Sequence, residues 1–159
     1  MGRSPSNRPI GPSPGDPGLS SYEDARSRFL RLGAGGGSII LVSSAAGLRG
    51  VPLLLPYVVS KHGMVGLMRA LANELGPANI RVNSIHPGGV ETEMGDGAHE
   101  QMAPLLAQHP EFTAFFAPAL PVGRMQPADI SPTVVYLASD DSRYVTGCAL
   151  PVDAGNAHH

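Results

Sequence analysis

The chain carries a single lysine, Lys61, four residues after a tyrosine in the stretch Tyr57-Val58-Val59-Ser60-Lys61. The other ten basic residues are arginines. A chain this biased toward guanidinium uses an ammonium where a compact charge must approach from one side. Residues four apart share a helix face, about 5.4 Å apart along the axis. A fixed cation beside a phenol favours its ionised form, so the pair reads as a proton donor and acceptor for general acid–base chemistry. Five residues alone fit a surface tyrosine beside a solvated lysine better. The elements around them reverse that preference.

Those elements follow from pattern. Ser38-Ile39-Ile40-Leu41-Val42-Ser43 is a continuous apolar run, as expected of a parallel strand covered on both faces. Gly33-Ala34-Gly35-Gly36-Gly37 comes before it. A phosphate-cradling glycine loop follows a strand and opens a helix, so this one is an entry turn. A small-residue loop over 44–56 leads to a helix from about Tyr57 to Leu75. Its apolar stripe is Met64, Leu67, Met68, Leu71 and Leu75, widened by Val58, Val65 and Ala72. That width exceeds what one sheet face needs. Gly76-Pro77 stops the helix, and the strand Ile80-Arg81-Val82-Asn83-Ser84-Ile85 completes a βαβ unit with parallel strands.

His86-Pro87-Gly88-Gly89-Val90 reads as a turn. Residues 94–121 read as an irregular segment with helical tendency near 101–108 and 112–116. Pro127 and Asp129 open a further helix carrying Val134, Val135, Leu137 and Ala138. Residues 147–152 form a last strand, and Pro151 puts it at a sheet edge or strand end. Ligands of an open parallel sheet lie outside the carboxyl ends of its strands. The end of the first strand at Ser43-Ser44, the first turn of the helix with Tyr57, and Pro87-Gly88 all fall on that rim.

At this point the residues resemble the short-chain dehydrogenase/reductase family. Tyr57-x-x-x-Lys61 has a serine, Ser44, thirteen positions before the tyrosine, and Pro87-Gly88-Gly89-Val90-Glu91-Thr92 follows the second strand. Ala138-Ser139-Asp140 through Thr146-Gly147 and Val152-Asp153-Ala154-Gly155 are similar to the family's C-terminal end. The likeness covers roughly residues 26–156. Residues 94–121 and the Leu150–Asp153 ending look more like the mycofactocin-coupled and carveol-dehydrogenase-like branch, which oxidises alcohols with tightly held NAD. The resemblance implies an α/β fold, a partial Rossmann-like, doubly wound parallel sheet. It implies interconversion of a secondary alcohol and a ketone with NAD or NADP, NAD being favoured, although the residue that selects between them is not matched. Tyr57 would move the proton, Lys61 would assist it and hold the nicotinamide ribose, and Ser44 would polarise the substrate oxygen. Pro87, Gly88, Val90 and Thr92 would line the cofactor. Ser43, pointing the other way along the strand, would be structural. Phe112, Phe115, Phe116 and Leu120 would belong to a lid over a hydrophobic substrate. The 57–75 helix would pack against a second subunit.

Composition bounds the remainder. A net charge of −2 over 159 residues gives no reason to expect nucleic acid or an anionic membrane as partner. The six histidines show no ligand spacing, so no metal is expected. The lone Cys148 lies in an apolar strand pattern and fits an inert thiol in a reducing compartment. With no apolar run of membrane-spanning length, a cytoplasmic location is expected. Residues 1–21, rich in Pro, Gly and Ser, read as a disordered tail, and 22–159 as a truncated domain of the family. The family's glycine-rich dinucleotide turn is not found, so a non-catalytic folding or oligomerisation remnant stands as the alternative to an enzyme.

Overall fold

A computed structural model describes residues 35–158, together with Ser27 and Leu30, both helical. The sheet and its helices belong to one compact unit that begins at Gly35. The expected tail over 1–21, the domain start at residue 22 and the helix over 22–32 lie, those two positions apart, outside the described residues.

Among the described residues three strands form one parallel sheet in the order β1 (Gly37–Val42), β2 (Ile80–Pro87), β3 (Ala149–Val152). The register sets Gly37 opposite Ile80 and Ser84 opposite Ala149. β1 and β2 are joined by α1 (Leu55–Leu75), and β2 and β3 by α2 (Glu93–Gln108) and α3 (Pro127–Ala138). The expected doubly wound character follows from strand parity. Ser38 Oγ donates to the Leu137 carbonyl of α3, whereas Ser43 Oγ, five residues on, donates to the Lys61 carbonyl of α1. An odd separation along an extended chain means opposite faces, so the two helices cover opposite sides of the sheet.

β2 is the buried centre. Val82, Asn83, Ser84, Ile85 and His86 are all nearly inaccessible. β1, whose apolar run reads as covered on both faces, is instead half-buried with Val42 54 % exposed. Among the described residues it pairs only on its β2 side, and the sheet ends there. β3 is the other edge, where Pro151 sits without the N–H that an inner strand would require. Cys148, just before β3, is half-buried, and its N–H donates to Asn83 Oδ1.

α1 buries Val65, Met68, Leu71, Ala72 and Leu75. Leu67, expected in the stripe, sits at its edge and is half exposed, and Leu55 and Val59 nearer the start of the helix are more exposed still. A helix with 3.6 residues per turn cannot turn all its apolar positions toward one sheet. The irregular segment expected from residue 94 is also corrected. α2 is a regular helix from Glu93, capped by Thr92 Oγ1 accepting from the Gly95 N–H at 3.0 Å, and a 3-10 segment Pro110–Phe116 follows it. Gly95, Gly97 and Pro104 lower helix propensity, but the cap and tertiary contacts outweigh them.

Cavity formation at α1 gives a direct check. Leu75→Ala is expected to cost about 2–5 kcal/mol in denaturant unfolding, the range for a fully buried leucine. Leu67→Ala, at a half-exposed position, is expected to cost less than Leu75→Ala.

Candidate active site

The carboxyl ends of β1 and β2 carry the residues singled out by spacing. Lys61 lies in the second turn of α1, and its Nζ stands 5.4 Å from the centroid of the Tyr57 ring and 3.5 Å from the Val42 carbonyl at the end of β1. The same nitrogen is 3.9 Å from Met64 Sδ. Tyr57 is 39 % exposed, so its ring is open to a ligand at the rim. Ser44 follows β1 and caps the 3-10 turn Ala45–Gly47; its Oγ accepts from the Ala46 N–H at 3.2 Å.

The two adjacent serines are committed differently. The Ser43 hydroxyl proton is used on the Lys61 carbonyl at 3.0 Å, and the residue is buried. The Ser44 hydroxyl uses a lone pair on Ala46, and a hydroxyl also holds a proton to donate. The 3-10 turn reaches α1 only because residue 47 is glycine. A Cβ there would stand 2.6 Å from Ser43 Oγ and 2.8 Å from the Lys61 carbonyl oxygen.

The turn after β2 is held from below. Gly88 N–H donates to the Val152 carbonyl at 3.1 Å, and Gly89 and Glu91 exchange backbone bonds with Met125. Pro87, Gly88 and Val90 are half-buried, and Gly89, Glu91 and Thr92 are exposed. The Thr92 hydroxyl serves α2 as its cap. Two of the carboxylates that cluster after this turn are engaged by residues beyond the 110–116 segment. Glu91 meets Gln126, and Asp96 meets Arg124.

Sequence reasoning treats His86 only as a turn residue, and burial gives it a larger part. Its Nδ1 is 2.8 Å from the Ser44 carbonyl and its Nε2 is 2.8 Å from Ser84 Oγ. A carbonyl only accepts, so Nδ1 carries the proton, and Nε2 accepts from the serine hydroxyl. One neutral imidazole thus ties the backbone of Ser44 to the strand that ends in Pro87-Gly88. Sequence reasoning also misses Arg49. Its guanidinium donates to the Phe115 carbonyl and lies 5.8 Å from the Phe115 ring centroid, joining the loop after β1 to the 3-10 segment 110–116. Neither link leaves a local sequence signal, because each partner is tens of residues away.

The side chains at the rim lie open. A depression lined by Leu120, Val122, Pro151, Asp153 and His158 excludes Ser44, Tyr57 and Lys61. Among the described residues no group of three or more His, Cys, Asp and Glu is placed to hold a metal. No described helix is long and apolar enough to cross a membrane.

Comparison with known proteins extends this picture. A family model described as enoyl-(acyl carrier protein) reductase matches residues 20–157. A (-)-trans-carveol dehydrogenase of Rhodococcus erythropolis is 45 % identical over 133 residues, covering 79 % of this chain and 48 % of its own. A cyclohexanol dehydrogenase of an Acinetobacter species is 40 % identical over 123 residues, covering 77 % of this chain and 44 % of its own. The crystal structure of a short-chain dehydrogenase from Mycobacterium paratuberculosis bound to NAD matches with a TM-score of 0.77 and 44 % identity, over 84 % of this chain and 49 % of that one. The chain spans about half the length of the relatives it matches.

Burial lowers the pKa of His86 below its ordinary value near 6.5. The Ser44 carbonyl and Asp153 oppose that shift, while His62 and Lys61 add to it. The unfolded chain therefore takes up this proton first as pH falls. The contribution of neutral His86 to stability is complete above about pH 6.5 and is lost as pH falls through the lower folded value. Denaturant unfolding at about pH 7.5 and about pH 5.5 should show the loss. His86→Gln should flatten the slope by at most about 1.4 kcal/mol per pH unit.

Proposed function

The chain belongs to the short-chain dehydrogenase/reductase family, and we propose that it carries the proton-transfer centre of an oxidoreductase interconverting a secondary alcohol and a ketone with NAD(H) or NADP(H). The observation that carries this reading is the Lys61 ammonium held between the Tyr57 ring and the end of β1, 5.4 Å from one and 3.5 Å from the other.

The residues at the rim suit a nicotinamide nucleoside. Pro87, Gly88 and Val90 offer a wall with no bulky polar group, next to an exposed phenol and an ammonium able to donate to ribose hydroxyls. When bound, the dinucleotide supplies or takes the hydride. Tyr57 receives the hydroxyl proton of the alcohol in oxidation and returns it to the ketone oxygen in reduction. Lys61 sets a positive charge beside the phenol that carries this proton. Ser44 donates its free hydroxyl proton to the same oxygen and orients it, a role for which Ser43 has no proton left. Thr92, with its lone pair on the Gly95 N–H, keeps a proton for the carboxamide or pyrophosphate. NAD is the favoured form, since the similar short-chain dehydrogenase was crystallised with it.

The substrate we propose is a small hydrophobic alcohol. The names of the carveol and cyclohexanol relatives support this, as do Phe112, Phe115 and Phe116 on the segment that Arg49 ties to the site. A cytoplasmic, homo-oligomeric protein is part of the same proposal, with the exposed apolar residues of α1 (Leu55, Val59 and Leu67) packed against a second copy. A second reading, a folding or assembly module without turnover, draws on coverage of only about half of each relative.

Two measurements separate these. NADH fluorescence should saturate on titration with the protein; a linear response sinks the enzyme reading. Tyr57→Phe should lower turnover by about 100-fold or more while NADH still binds, the scale of a lost general acid–base group. Turnover surviving that change would remove Tyr57 from its role.

A further inference from the structure

We propose that Arg124 is a positioning residue: one guanidinium fork joins the turn after β2 to the root of α2, so that the nicotinamide wall and the base of the lid move as a single body. This rests on the functional reading above for its catalytic consequence, and on the geometry alone for the coupling.

Arg124 lies in the connection between the 3-10 segment 110–116 and α3. Its Nη2 donates to the Val90 carbonyl at 2.6 Å and its Nη1 to Asp96 Oδ1 at 2.7 Å. Val90 is in the turn and Asp96 is in the first turn of α2. The two acceptors are thus held by the two arms of one planar group, an arrangement a lysine ammonium does not reproduce. The backbone beside the fork is built to the same end. Val90 and Met125 form a parallel bridge, with Glu91 N–H donating to the Met125 carbonyl at 2.8 Å and Met125 N–H to the Gly89 carbonyl at 2.9 Å. Gln126 donates to the Glu91 carboxylate.

Gly95 explains how the fork fits. A Cβ at that position would stand 2.3 Å from the Val90 carbonyl oxygen and 2.6 Å from Arg124 Nη2. The absent side chain is the space the guanidinium uses. A glycine in the first turn of a helix lowers its propensity, and here it admits a side chain that reaches both elements. Arg124 side-chain exposure is 32 % and that of Asp96 is 61 %. The bond to Val90 is the better shielded arm, and the bond to Asp96 steers the helix.

The consequence lies in what each arm holds. Val90 is in the wall proposed for the nicotinamide. Thr92, between the two acceptors, caps α2 through its side chain, and its carbonyl accepts from the Asp96 N–H at 2.8 Å. Without the fork, the Val90–Thr92 segment relies on the Met125 bridge and the Gln126 contact, and the α2 root relies on its own cap.

Hydrogen exchange on the 159-residue chain tests the coupling without needing turnover. In Arg124→Ala and in Arg124→Lys, the amides of Glu91, Asp96 and Met125 should exchange about tenfold faster. The Val82 and Ile85 amides and the melting temperature should stay as in the parent. Arg143→Ala, which removes an exposed arginine stacked on Tyr144, is the control and should change none of these amides. Unchanged exchange at 91, 96 and 125 overturns the coupling. So does full protection in Arg124→Lys, which would mean that charge alone suffices, or acceleration spread through β2, which would mark a general loss of stability.

NADH titration then tests the catalytic part. Both variants should bind about tenfold more weakly, the size of one charge-assisted hydrogen bond. Parent-like affinity in a variant with a loosened turn would overturn the assignment to the nicotinamide wall. If the parent itself binds no NADH, the oxidoreductase reading fails, and the exchange data still decide the coupling.

Discussion

A strand buried on both faces has nowhere to place a polar side chain except against a partner, and β2 carries several. Asn83 donates to the Val145 carbonyl and accepts from the Cys148 N–H, standing in for a peptide group toward β3. Arg81 donates to the Leu137 and Ser139 carbonyls at the end of α3 and to Ser142 Oγ. His86 donates to Ser44. Leaving any of these buried groups unpaired would cost about 1–3 kcal/mol or more. The need to satisfy them fixes β3, α3 and the loop after β1 relative to one strand. The candidate site is a product of that requirement.

The apolar contribution is complementary. Met68, Leu71 and Leu75 of α1 close one face, Leu137 of α3 closes the other, and both helices are tied to β1 by serine hydroxyls. Burial supplies most of the stabilisation and is non-directional. The hydrogen bonds from Ser38, Ser43, Arg81 and His86 make the packing specific. Lys61 illustrates the combination. Its helix is held to the sheet by apolar contact, its carbonyl is fixed by Ser43, and its ammonium reaches the Val42 carbonyl at the rim.

Much of the fold is legible in the sequence because it rests on period and order. The 3.6-residue stripe of α1, the apolar run of β1, the stop at Gly76-Pro77 and the edge proline of β3 are local signals, and each is found near where the sequence puts it. The pairing of Tyr57 with Lys61 is legible for the same reason, being one helical turn. What is not legible depends on distance in sequence. Helix α2 reads as irregular because Gly95 and Pro104 speak against it locally. Gly95 is there for an arginine 29 residues on, and no local pattern reports that. His86 passes as a turn residue because the carbonyl it donates to, that of Ser44, is 42 residues away. Leu67 reads as inward-facing because a wide apolar stripe does not say which part faces the sheet.

The peptide group of Lys61 has a further meaning. Its carbonyl is gripped by Ser43, and Gly47 rests against it from the turn that Ser44 caps. Ser44 and the ammonium are therefore referenced to the same peptide plane, a few bonds from each. A shift of the helix against the sheet would have to displace Ser43 and the turn that Ser44 caps as well.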